Sequence, residues 1–348
     1  MTDVDVAILH PEAPDDAGPL TRATVAARAD LADRHARGFR AAGASHATVI
    51  GGPPDGRPFG ARLREIAAGL GDGGLIVLGS GALPLATRRD RLELVEAAAS
   101  DRPRALTNNR YSGDIVALAR ARRVLTDLPD LATDNELPRW LDEVAGVPVE
   151  DRRRRTRLGV DIDGPFDLVL LGGRWGAYLE DADTTRVRRA IADVGSVVRE
   201  SRAELVVAGR VSAANLGWLE ARTASRTRVL VEERGLRTRH AGQRPAASVL
   251  GALLDHDGPG ALGAHLARLG DAAIIDTRVL LAHRFGADHG AWPAPEDRYA
   301  SDLLMPARVA DAWLRELTSA AEGASIPILL GGHTLVGPGL PLALGRQG

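Results

Sequence analysis

Short apolar runs alternate with longer stretches of helical spacing along the whole chain. Val4–Leu9 (VDVAIL), Ala47–Gly52 (ATVIGG), Gly74–Gly79 (GLIVLG) and Arg104–Thr107 (RALT) predict strands. Runs this apolar suit strands covered on both faces of a parallel sheet. Between them, Arg22–Ala42, Arg62–Leu70 and Arg88–Ala99 predict helices. After Pro148 the run EDRRRRTR reads as a solvated connection, with phosphate binding the alternative for its four arginines. Then comes RLGVDIDGPFDLVLLGG, whose start reads as a strand; residues i and i+2 of a strand share a face, which would bring Asp161 and Asp163 together.

The alternation resumes in the second half. Helical Thr184–Arg202 leads to strand Glu204–Gly209, helix Ser212–Ala221 and strand Arg228–Glu233. A Gly/Arg/Pro-rich loop is expected over Gly235–Pro245, then helical pieces, strand Ala272–Asp276, a helix over Ala307–Ala321 and strand Ile326–Gly332. This is the pattern of α/β layered domains with a mostly parallel sheet. At 348 residues two domains are expected, 1–175 and 176–348, with the boundary near 172–182.

Composition narrows the chemistry. With 44 basic against 46 acidic residues and 3% aromatics, neither a global field nor a stacking surface recruits nucleic acid. There is no cysteine, which excludes disulfides, thiolate metal sites and cysteine nucleophiles. Nor is there lysine, so Schiff-base chemistry and a phosphate-loop lysine are excluded. The acidic N-terminus lacks signal-peptide character and no apolar run is long enough to span a bilayer; a soluble, cytoplasmic protein without a membrane partner is expected.

Open parallel sheets bind ligands at the carboxyl ends of their strands. That rule selects Ser80 and Gly81 after the third strand, then Asn108, Asn109, Arg110, Ser112 and Asp114 after RALT, and finally Asp161 and Asp163. Amides, an arginine and carboxylates on one edge suit a phosphate-bearing ligand with Mg²⁺ or Mn²⁺. The plainer reading of the Asp pair is a cap on the Gly164–Pro165 turn and the helix after it.

Three stretches carry a family resemblance. LIVLGSGALPLAT, ALTNNRYSGDIVAL and VDIDGPFDLVLL follow the motif order of the MobA-like nucleotidyltransferases, which include 2-phospholactate guanylyltransferases. The likeness covers residues 1–172. It implies a GT-A-type sheet, a helix after the Asn-Asn-Arg loop, and a metal held by Asp161 and Asp163. It further implies nucleotidyl transfer with Arg22 or Arg110 clamping phosphate and Asn108 and Asn109 contacting the acceptor. LHPEAPDDAGPLTR stands where that family has a Gly-rich loop.

In the second half the edge rule selects Arg210 beside Ser212, Asp276 with Thr277 and Arg278, and His333 with Thr334. These residues would line one cleft for a nucleotide or phospho-metabolite. An Asp276–Arg278 structural pair is the alternative. A third cluster, His283, Asp288, His289, Glu296, Asp297 and Asp302, has metal-ligand chemistry but no known spacing, and GAWPAPEDRYASD has loop composition. LDHDGPG reads as a turn with helix caps. Three functions follow as expectations: a nucleotidyltransferase, a non-catalytic metabolite sensor or scaffold, and a metal-dependent hydrolase built on the third cluster. A homodimer is compatible with each.

Overall fold

The computed structural model describes residues 2–53, 55–233, 245–286 and 288–345. Its contacts gather into two compact units, Met1–Asp16 with Val25–Ile162, and Ala17–Thr24 with Asp163–Gly348.

In the first unit, β1 (Val4–Pro11), β2 (His46–Gly52) and β3 (Gly74–Gly79) form where the apolar runs predict them. They are followed in turn by α1 (Pro19–Ala41), α2 (Phe59–Ala68) and α3 (Arg88–Ala98). Thr87 and Asp90 start α3 with a reciprocal capping box. With β4 (Ala105–Thr107), β5 (Ile115–Leu118) and β6 (Val149–Asp151) the sheet reads β2-β1-β3-β5-β4-β6. Val4, Val6 and Ile8 pack with Phe39 of α1 and Leu94 of α3 on one face, whereas Ala7, Leu75 and Val77 meet Leu63 of α2 on the other. Burial on both faces, at roughly 1.5–3 kcal/mol for each large side chain, explains why the strands read as unbroken apolar runs.

Two expectations fail in this unit. β5 runs antiparallel to both neighbours, so the segment after the Asn-Asn-Arg loop returns as a hairpin strand where a helix was expected. The sheet is therefore mixed. The VDID segment is not a strand: after a short 3-10 turn at Thr156–Leu158 it makes a single bridge, Asp161 to Ala82. The arginine run is held by two acids of α3. Arg152 and Arg155 bond Glu93 at 2.6 and 2.5 Å, and Arg155 and Arg157 bond Asp90 at 3.2 and 2.6 Å.

The second unit holds a wholly parallel sheet of β7 (Glu204–Gly209), β8 (Arg226–Val231), β9 (Ala272–Asp276) and β10 (Ile328–Gly331), in the order β10-β9-β7-β8. Ser212 caps the helix Ala213–Arg222 and Asp311 caps the helix Ala312–Glu322. That second helix starts later than its apolar spacing suggests because Pro306–Arg308 forms a 3-10 turn. The helical stretch after Thr184 ends at Val197. Leu254–Asp257 completes a helix, with a 3-10 turn at Pro259–Ala261. The expected loop over residues 235–244 lies outside the described residues. The loop expected over GAWPAPEDRYASD is a helix from Pro295 to Asp302, which tolerates Pro295 in its first turn. Among the described residues no helix is long and apolar enough to cross a membrane.

Candidate functional site

β1 and β3 lie side by side and parallel, but the chain leaves them in opposite directions, from β1 to β2 and from β3 towards β4. In open α/β sheets such a reversal leaves a crevice at the carboxyl ends of the two strands, where ligands bind. His10 near the end of β1 and Ser80 just after β3 meet across it, with His10 Nδ1 and Ser80 Oγ 3.0 Å apart. The contact is O–H···N or N–H···O according to the imidazole tautomer. Burial, with the charge of Arg28, holds the His10 imidazole below its ordinary pKa against the opposing pull of Glu12 and Asp33. The ring is therefore neutral at pH 7.

The turn after β3 is held from several sides. Ser80 N–H donates to Leu9 O at 2.9 Å, and His35 Nε2 bonds Ala82 O at 2.8 Å. Ile162 N–H donates to Gly81 O at 3.0 Å, and Arg28 Nε donates to Ile162 O at 2.6 Å. Gly81 admits no side chain, since a Cβ there would stand 2.7 Å from Ile162 O and 2.8 Å from Asp161 Oδ1. Leu83, buried in the same turn, adopts φ of 54°, a left-handed conformation that costs a leucine free energy. Strain held by a surrounding bond network is a recurrent feature of ligand sites. The hollow beside Gly79, lined by Leu9, Phe59, Gly113, Asp114 and Asp134, has space for about one water molecule. A ligand of the first unit would therefore lie over the sheet edge.

Asp161 and Asp163 are not partners on a strand. The division between the units falls between them. Asp161 is half-buried beside Gly81. Asp163 is exposed, its carbonyl accepting from Tyr299 Oη at 3.0 Å. The capping carboxylate is neither of the two expected. Asp167 accepts from the N–H groups of Asp163 and Gly164, both at 2.8 Å. Its carboxyl is fully buried, and that burial, with Asp163 and Asp302 nearby, raises its pKa to about 8 despite both bonds.

The Asn-Asn-Arg loop is tied both within its own hairpin and to the segments beside it. Asn108 donates to Asp114 Oδ2 at 2.7 Å and to Leu158 O at 3.0 Å. Asn109 accepts from Tyr111 N–H, Arg110 pairs with Asp142, and Ser112 bonds Asn135. These groups stabilise the turn with bonds that an acceptor substrate would have to replace.

The second unit has the same reversal between β7 and β9, and a buried ion pair occupies it. Arg210 donates to both oxygens of Asp276, at 2.6 and 3.1 Å. Asp276 also caps the helix Thr277–Phe285 through Arg278 N–H. The anticipated Asp276–Arg278 side-chain pair is replaced, because Arg278 bonds Asp302 at 2.6 and 2.5 Å. Thr277 Oγ1 donates to Gly331 O, while His333 is exposed and opens the short helix His333–Val336, with Thr334 buried behind it. Arg22 bonds Ala17 O.

The His/acid cluster is dispersed. His283 accepts from Ser248 N–H and meets Asp255, whereas Asp288 caps a 3-10 turn. His289 stacks on Trp292, with ring centroids 4.0 Å apart. Glu296 accepts from the N–H groups of Leu20 and Thr21, and Asp297 from those of Ala310 and Asp311. Among the described residues no three His, Asp or Glu side chains form a group fit to hold a metal ion.

His10, Arg28 and His35 escaped the sequence reading, although His10 ends an apolar run as Ser80 follows one. No protein-family model matches the chain. No curated protein matches it in sequence.

Proposed function

We propose that the first unit binds a nucleotide or another small phosphorylated metabolite across the carboxyl ends of β1 and β3. The observation that carries this is the His10–Ser80 contact at the point where the sheet's connections reverse. The imidazole, partly exposed, offers an exchangeable hydrogen bond with the buried Ser80 hydroxyl behind it, and Arg28 close by supplies positive charge for an anionic ligand. The proposed kinship with the MobA-like nucleotidyltransferases rests on the sequence motifs LIVLGSGALPLAT and ALTNNRYSGDIVAL. Binding without group transfer is favoured, since Asn108 and Arg110 are already bonded to Asp114 and Asp142, and Asp161 and Asp163 do not share a strand.

The test is a thermal-shift panel of GTP, ATP, CTP, UDP-sugars and inorganic phosphate, each with and without Mg²⁺. A raised midpoint for at least one, lost in His10→Ala, is expected. No shift across the panel overturns the reading. A shift that requires Mg²⁺ and vanishes in Asp161→Asn would replace binding with transfer.

A further inference from the structure

Among the described residues of the second unit, Arg298 is an arginine with no acidic side chain bonded to it. Arg298, on the helix Pro295–Asp302, is half-buried and its guanidinium makes no hydrogen bond or ion pair with any described residue. Its Nε is sealed from solvent and unbonded. The contact it does make is with Trp292, the guanidinium carbon standing 5.8 Å from the ring centre. Such a cation–π contact offsets part of the lost hydration and satisfies none of the N–H donors. Arg278 adds a second positive charge nearby while its own donors are spent on Asp302. Burial and Arg278 both act to lower the pKa of Arg298, with Tyr299, Asp302 and Asp163 opposing. A guanidinium does not shed its proton at ordinary pH, so the charge stays and its donors need an acceptor.

Among the described residues of this unit the two more deeply buried arginines each have one: Arg210 holds Asp276 and Arg278 holds Asp302. We propose that Arg298 is the receptor for a small oxyanion, a phosphate or carboxylate group, taken by the two terminal nitrogens, which are not sealed and which no described residue engages. The two terminal nitrogens of the planar guanidinium match such groups in two-point geometry, and the Trp292 ring lies beside the guanidinium carbon. This site is separate from the edge at His10 and does not rest on it.

Thermal unfolding of the full chain, in inorganic phosphate or acetate against chloride at equal ionic strength, tests the proposal. The wild type and His10→Ala should each gain about 2–4 °C in one of the two oxyanions, and Arg298→Gln should gain nothing. Phosphate or acetate as the effective ion identifies which oxyanion is bound. Arg298→Gln should also be no less stable than the wild type in chloride, because it removes an unpaired charge. If that variant does not fold, Arg298→Lys serves instead, with apparent affinity at least about tenfold weaker for lack of the fork. No shift in the wild type overturns the proposal. So does a shift that persists in Arg298→Gln or is undiminished in Arg298→Lys, or one that disappears in His10→Ala.

Discussion

Arg210 and Asp276 close the reversal point of the second sheet with two hydrogen bonds, 2.6 and 3.1 Å long, and the Asp276 side chain is wholly buried. The pair satisfies its own charges at the carboxyl ends of β7 and β9. Arg210→Met leaves a carboxylate buried without its cation, and the expected loss is about 3–5 kcal/mol. Arg210→Met/Asp276→Asn should recover much of it. Asp276 has its pKa depressed mainly by Arg210, against burial, so the pair's contribution is present above the ordinary carboxylate pKa and lost as pH falls through the depressed value. The gap between Arg210→Met and wild type in urea unfolding should accordingly narrow in acid.

His35 gives the first unit a slope of its own. Buried on α1 and bonded to Ala82 O, its imidazole is lowered to about 4 chiefly by burial. Between pH 6.5 and 4 the unfolded chain takes up the proton and the folded chain does not, so stability falls by up to ~3 kcal/mol as pH drops through that window. His35→Gln, which retains an N–H donor, should flatten the slope in chemical denaturation at pH 7 and 4.5.

Asp167 acts in the opposite sense. Its pKa of about 8 exceeds that of an unfolded aspartate, so the folded state binds the proton more tightly. Its contribution is greatest below pH 4 and declines as pH rises through 8. Asp167→Asn can still accept from Asp163 and Gly164 N–H without becoming charged. It should unfold later than wild type at pH 9 by at least about 1 kcal/mol, with the advantage shrinking towards pH 5.

Gly81 tests the rigidity of the switch-point turn. A Cβ at that position meets backbone oxygen of Ile162 and the carboxylate of Asp161 at 2.7 and 2.8 Å. Gly81→Ala should cost about 1–3 kcal/mol, and hydrogen exchange at Ile162 N–H should accelerate.

Much of the scaffold was legible in the sequence, and the reasons are local. GLIVLG and AAIID form strands because helices cover both faces, which is what their unbroken apolar character signals. IVAL at Ile115–Leu118 has the same character, but it is short and follows a turn-rich loop, so its hairpin pairing was hidden. The VDID alternation imitates a strand, yet Gly159 and Gly164–Pro165 bound it too closely for a ladder to form. PAPEDRYASD has poor helix formers, but Pro295 fits the first turn and its buried Ala300 and Ser301 supply the packing. The sites were less legible because partners lie far apart in sequence. Arg155 finds Glu93, Arg278 finds Asp302 and His10 finds Ser80, each fixed by strand order or helix packing that no local pattern reveals.

The central claim is that His10 and Ser80 mark a ligand edge on the first unit. Calorimetric titration of the wild type and of His10→Ala, with whichever nucleotide or phosphate gives the largest thermal shift, tests it most directly. In an Arg298→Gln background, which removes the oxyanion site proposed for the second unit, the expected result is one site per chain and at least about tenfold weaker affinity when His10→Ala is added, a loss of ~1.4 kcal/mol, with unfolding of the free variant little changed. Equal affinity in the two proteins would contradict it.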